Sequence, residues 1–266
     1  MSKFLLLVAT AAISITTLIH RTPAKSTSPA MLVVDRVERS FGRAGELRRV
    51  DHVTERIRHD GSRSITILRT IRSETSTNGW ETHEGWRLYD ATSDVAHEVF
   101  PALGLYGSLP VGREKFRKPI AVRTCRGVFP AEANPQLRGS VSRFGKTAEV
   151  YRVEFETPET RWIVDVEVFP EFGCLEGNKT LEVWQATGGE RLSRRVVELV
   201  SVTTAPEDLS WFRVPTGYAE AKPSEILRRH AERTGKVCSE CASGTATLFD
   251  ERHRRLWEAR HHAAPR

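Results

Sequence analysis

The sequence predicts a mainly β (α+β) protein, a curved antiparallel sheet or half-barrel followed by a helical C-terminal segment. Three observations carry this expectation. Between Glu149 and Thr203, apolar and polar residues alternate with a period of two in several runs, as in strands with one buried and one wet face. The breaks between those runs contain Gly or Pro and are too short for a crossover helix, so successive strands pair as a meander. From Pro223 onward the pattern changes to that of a helix.

Along the chain, residues 1–25 come first. Lys3 precedes the uncharged apolar run Phe4 to Ile19, which reads as a secretory signal or as an N-terminal membrane anchor. His20, Arg21 and Lys25 follow, and no clear small-x-small cleavage site is present. No cysteine precedes Cys125, which excludes a lipoprotein anchor on an N-terminal cysteine. Both readings export the bulk of the chain to the periplasm or the extracellular side, the second leaving it anchored in the inner membrane.

Residues 31–222 are expected to form the β domain. Met31 to Phe41 fits a short helix by its four-residue spacing of Val33, Val37 and Phe41, and a strand by its β-branching. Glu46 to His59 and Arg63 to Arg72 flank Asp60-Gly61, a hairpin signal. Strands follow around Trp86–Tyr89 and Val95–Val99, and Pro101 to Pro119 reads as a long loop. Tyr151, Val153 and Phe155 alternate with charged residues, as do Trp162, Val164, Val166 and Val168, with Pro158 as the turn between the two runs. Lys179 to Ala186 and Arg191 to Thr203 flank Gly188-Gly189, a second hairpin signal, and a short strand near Trp211–Val214 is expected at an edge. In residues 223–266, Pro223 opens one helix and Gly235 closes it. Thr247 and Asp250 open a second, which runs to about His262.

Composition narrows the function. With 39% hydrophobic and 28% charged residues, the 266-residue chain is neither disordered nor collagen-like. A single apolar run excludes a multi-span membrane protein. Forty Lys+Arg against 34 Asp+Glu give +6, too little to argue for nucleic acid as a partner. The positive charge concentrates in Arg113, Lys115, Arg117, Lys118, Arg123 and Arg126, which read as solubilising loop charge or as a patch for an anionic surface.

Four cysteines in an exported chain read first as disulfides, and pairing Cys125 with Cys174 and Cys238 with Cys241 keeps each bridge local. The Cys238-x-x-Cys241 pair has two rival readings. A redox pair lacks a βαβ setting, and a zinc site with His253 and His261 has too long a last interval. No nucleophile elbow, Walker loop, dinucleotide fingerprint or EF-hand loop is present. His83-Glu84 and His97-Glu98 begin like a zincin motif but lack its second histidine. Asp165 with Glu167 as a carboxylate pair, and Trp80 with Trp86 as a sugar platform, read more simply as strand-face residues. No cofactor and no metal is expected.

The stretch Asp208-Leu209-Ser210-Trp211-Phe212-Arg213-Val214-Pro215-Thr216-Gly217-Tyr218 has the form D-x-x-x-F-x-V-P-x-G-Y. It resembles the closing segment of exported bacterial proteins related to the LolA/LppX-like carriers of lipoproteins and lipids. That resemblance implies an incomplete barrel around an apolar cavity with helices as a lid, and it carries over no functional residue. The four cysteines and the C-terminal helix pair depart from it. The expected function is therefore non-enzymatic binding of a hydrophobic ligand (a lipid or acyl chain) or of an envelope protein. An envelope hydrolase or thiol-disulfide enzyme without a local motif is the alternative. The expected ligand surface is Tyr151, Val153, Phe155, Trp162, Val164, Val166 and Val168, which share one side of two neighbouring strands.

Overall fold

The computed structural model describes residues 30–73, 77–110, 119–129 and 133–234. The apolar run 4–19, Cys238, Cys241 and the expected second C-terminal helix lie outside the described residues. The strands are β1 (Ala30–Phe41), β2 (Leu47–Ile57), β3 (Arg63–Arg72), β4 (Trp80–Asp90), β5 (Val95–Phe100), β6 (Leu105–Pro110), β7 (Gln136–Arg143), β8 (Lys146–Glu156), β9 (Thr160–Phe169), β10 (Leu175–Gln185), β11 (Arg191–Pro206) and β12 (Ala219–Glu220); one helix follows, α1 (Pro223–Thr234). All twelve strands join one open, curved sheet in the order β12-β6-β5-β4-β3-β2-β1-β11-β10-β9-β8-β7. Every pairing is antiparallel except that of β12 with β6.

The order divides into two local meanders, β1 to β6 and β7 to β11, joined where β1 lies against β11 from Ala30↔Pro206 to Phe41↔Arg194. Met31 to Phe41 is thus a central strand: neighbours on both sides satisfy its backbone, and β-branched residues pack on the pleat. Both hairpin signals sit at tips. Gly61 has φ 94° and its N–H donates to Arg58 O, while Gly188 and Gly189 have φ 97° and 65° in the turn closed by Gln185 N–H to Glu190 O. The Pro158 turn is closed by Thr157 N–H to Thr160 O at 2.7 Å.

Three sequence expectations need correction. Trp211 does not lie on a strand: Asp208 accepts from Ser210 N–H and caps a short 3-10 turn over Leu209–Phe212, and the edge strand is β12. The indole of Trp211 then lies beneath the Arg56 guanidinium, 3.7 Å from carbon to ring centre. The expected loop Pro101–Pro119 contains β6, whose Gly107 masks the strand pattern. Gln136–Arg143, assigned no structure from the sequence, forms the edge strand β7; its Gly and Ser residues weaken the apolar signal because the strand is largely exposed.

Two buried clusters hold the sheet ends. Phe100, Leu105, Ala221 and Ile226 dock α1 on the β5–β6 end. Leu32, Val34, Ile57 and Leu199 pack with Ala148, Phe169 and Leu175 from the ends of β8, β9 and β10. Gly177 permits the latter: a Cβ there would meet the Phe169 ring at 2.7 Å.

Candidate ligand-binding face

Register fixes which side chains share a face. Tyr151 pairs with Val166, Val153 with Val164, and Phe155 with Trp162, so these expected site residues stand side by side. Val164 and Trp162 pair onward with Leu181 and Val183 of β10, which extend the surface by one strand. Sequence reasoning missed Leu181 and Val183. Their alternation with Thr180 and Glu182 is the same period-two signal, but the register across the Gly188-Gly189 hairpin was needed to place them.

The surface has a closed end and an open end. The chain must travel from β6, near one edge of the sheet, to β7 at the opposite edge, and on the way residues 119–129 cross this face. There Cys125, Val128 and Phe129 cluster with Tyr151, Val166, Val168 and Cys174. A Cys125–Cys174 disulfide holds the crossing segment, with Cα atoms 5.5 Å apart. Cys125 N–H donates to Glu149 Oε2 at 2.9 Å, Tyr151 Oη donates to the same oxygen at 2.8 Å, and Val122 N–H donates to Pro170 O at 2.9 Å. Cys174 sits at φ 64°, left-handed for a non-glycine residue, in the turn that reverses β9 into β10. As a result Tyr151, Val166 and Val168 are buried, whereas Val164, Trp162, Leu181 and Val183 are half-buried and Phe155 is 40% exposed. The Phe155 and Trp162 rings stack with centroids 5.5 Å apart at 11°.

Both faces of β9 are covered at one end: Val168 lies under the crossing segment and the adjacent Phe169 lies in the Leu32–Val34 cluster. Val166 is therefore core, and it leaves no room for growth. Val166→Trp is expected to cost about 1–3 kcal/mol by overpacking, read as a lower denaturation midpoint at unchanged denaturant slope.

Beyond β10 the same face turns from hydrocarbon to charge. Arg195 of β11 joins Glu38 of β1 in a close ion pair. Asp51 of β2 lies between Arg49 (3.3 Å) and Arg69 of β3 (3.1 Å). Glu55 lies between Arg36 (2.7 Å) and Arg63 (3.0 Å), and Arg87 of β4 meets Glu98 of β5 at 2.7 Å. Asp51, Glu55 and Glu98 are buried, so this ion-pair belt continues across six neighbouring strands with its carboxylates out of water. Burial outweighs Arg87 and pushes Glu98 up to about 8; its Oε2 has no hydrogen-bond partner among the described residues. Burial likewise raises Tyr89.

The other sequence candidates do not assemble. Asp165 and Glu167 lie on the opposite face, Asp165 3.6 Å from Arg152 and Glu167 held by Arg143 at 3.0 Å. Trp80 and Trp86 are six residues apart on β4, roughly 20 Å, too far for one sugar ring. No His/Cys/Asp/Glu cluster among the described residues has a metal-ligating arrangement. His97 Nδ1 lies 3.0 Å from Ser108 Oγ, and Ser108 donates its hydroxyl proton to Glu220 in a close contact. Because the carboxylate takes that proton directly, Nδ1 is left to donate to Ser108, the reverse of nucleophile activation. Burial, against Glu220 and Asp90, lowers the His97 pKa. The trio pins β12 to β5 and β6.

No family model and no curated protein matches the sequence. Solved structures similar to this chain include MucB in complex with MucA(peri), at 13% identity and TM-score 0.36 over 71% of this chain and 55% of that one. A LolA superfamily protein from Nitrosomonas europaea is similar at 8% identity and TM-score 0.31, over 69% of this chain and 90% of that one. A putative outer membrane lipoprotein-sorting protein domain from Vibrio parahaemolyticus is similar at 6% identity and TM-score 0.29, over 68% and 88%. This chain thus spans about half the length of the MucB chain it matches.

Proposed function

We propose that the protein is an exported, non-enzymatic binder of a hydrophobic ligand, which lies on the open end of the apolar surface. The observation that carries this reading is the half-covered strip Phe155, Trp162, Val164, Leu181 and Val183, continuous with the buried Tyr151–Val166–Val168 core. A fully closed core offers no site, and the crossing segment covers only one end of this one. The native disulfide belongs to an oxidising compartment, which supports export. No helix among the described residues is long and apolar enough to cross a membrane. Each methylene buried on the strip contributes roughly 0.8 kcal/mol before the costs of association, so a chain of about 14 carbons contributes roughly 11 kcal/mol gross, against the roughly 8 kcal/mol net that micromolar binding needs.

Uptake of a fluorescent fatty acid tests this. Leu181→Asp, at a half-buried position of the strip, is expected to weaken uptake at least ten-fold, with a circular-dichroism melt confirming that the variant folds. Failure of the unmodified protein to bind any alkyl probe overturns the reading.

A further inference from the structure

The apolar strip and the ion-pair belt meet in a single row. Val153, Val164, Leu181, Arg195, Ser40 and Arg49 are successive cross-strand partners over β8, β9, β10, β11, β1 and β2. Adjacent strands lie ~4.8 Å apart, so the row passes from hydrocarbon at Val164 to guanidinium at Arg195 within roughly 10 Å. Beyond that point Arg36, Arg49, Arg63, Arg69, Arg87 and Arg195 share the face with Glu38, Asp51, Glu55, Glu81 and Glu98, six guanidiniums to five carboxyls. The Nε atoms of Arg36 and Arg195 are buried donors with no hydrogen-bond acceptor among the described residues, while Arg49 Nε faces Asp51 at 3.3 Å. Such donors are costly unless an acceptor arrives. Burial holds Arg49 below its ordinary range; Asp51 opposes this, and the nearby Arg69 and Arg195 charges add to it. A further positive charge is therefore tolerated badly here, and a multi-oxygen anion well.

We propose that the Arg195–Arg49 end of this row is a headgroup site for a phosphate-bearing amphiphile, whose hydrocarbon lies along Leu181, Val164 and Trp162. The proposal rests on the apolar reading above and adds the chemistry of the head. A tetrahedral phosphate presents several acceptor oxygens to guanidinium forks, and its charge offsets the excess. Glu38 competes with it for Arg195.

Isothermal titration with three probes tests the assignment: dodecyl phosphate below its micelle concentration, dodecyl maltoside as the neutral head, and inorganic phosphate as the free anion. Dodecyl phosphate is expected to bind at least ten-fold more tightly than dodecyl maltoside, and inorganic phosphate at least a hundred-fold more weakly than dodecyl phosphate. Arg195→Gln is expected to bring the two amphiphiles within two-fold of each other. Glu38→Gln, which releases Arg195, is expected to tighten dodecyl phosphate several-fold, a direction that damage to the fold does not produce. Equal binding of the two amphiphiles overturns the headgroup site and leaves the apolar reading standing. Inorganic phosphate binding as tightly as dodecyl phosphate overturns it in favour of a free-anion site. If neither amphiphile binds, the apolar reading itself fails.

Discussion

Replacing Cys125 and Cys174 together by serine is expected to lower the unfolding free energy by about 4 kcal/mol, the chain-entropy value for a loop of this length. Their separation of 49 residues makes the bridge a long-range constraint on the unfolded chain. In the native protein the effect is local, because both sulfurs are buried in the cluster beneath the crossing segment. The double variant also releases residues 119–129 from Val166 and Val168, leaving Cys125 N–H to Glu149 and Val122 N–H to Pro170 as tethers. Two readouts therefore move together. The denaturation midpoint falls, and uptake of an alkyl probe rises as the closed end of the strip opens. A midpoint within experimental scatter of the parent protein contradicts the first. Unchanged uptake in a destabilised but folded variant contradicts the second.

The second large effect is on pH dependence. Glu98 is raised from 4.5 to about 8 because burial costs its charged form more than Arg87 returns. A carboxyl raised on folding holds its proton more tightly in the native state. Its contribution is complete below about pH 4.5 and is lost as pH climbs through about 8, with no further change above. The unfolding free energy is expected to lose about 5 kcal/mol from this group across that window, at about 1.4 kcal/mol per pH unit. Glu98→Gln removes the ionisation and keeps the shape, so the difference between parent and variant must change with pH. Denaturant titrations at pH 5, 6, 7 and 8 check this. Parallel profiles for the two proteins mean that Glu98 is ionised throughout and the Arg87 pair outweighs burial.

Both effects arise from parts of the molecule that the sequence revealed unevenly. The β8–β9 pair was legible because Tyr151 to Phe155 and Trp162 to Val168 alternate cleanly around a proline turn, and one register puts all seven on a common side. Its division into a closed and an open end was not, because it depends on where residues 119–129 cross, which only the strand order dictates. The bridge between Cys125 and Cys174 was legible as a local pairing once the N-terminal apolar run was read as an export signal; its role as the anchor of a cover was not. The ion-pair belt escaped entirely. In β2, Arg49, Asp51, Val53, Glu55 and Ile57 share one side, and a rule that sends charge to the wet face cannot foresee carboxylates that arginines from β1 and β3 remove from water. The loss of the Trp211 strand has the opposite cause. Its apolar and aromatic residues look extended, but the Asp208 cap and the Arg56 stack favour a turn.

The seam between β1 and β11 has a kinetic meaning. Each meander forms from neighbours in sequence, but the contact that makes them one sheet joins Ala30 to Pro206, the two ends of the sheet-forming chain apart from β12. Until β11 exists, β1 is an edge strand with an open row of backbone donors and acceptors, and Leu32 and Val34 lack their full cover. Synthesis from the N-terminus delivers β1 first and its second partner nearly last. Closure of the seam is then the step with the largest loop-closure cost, and the interval before it is the time when the open edge of β1 is most exposed to pairing with another chain.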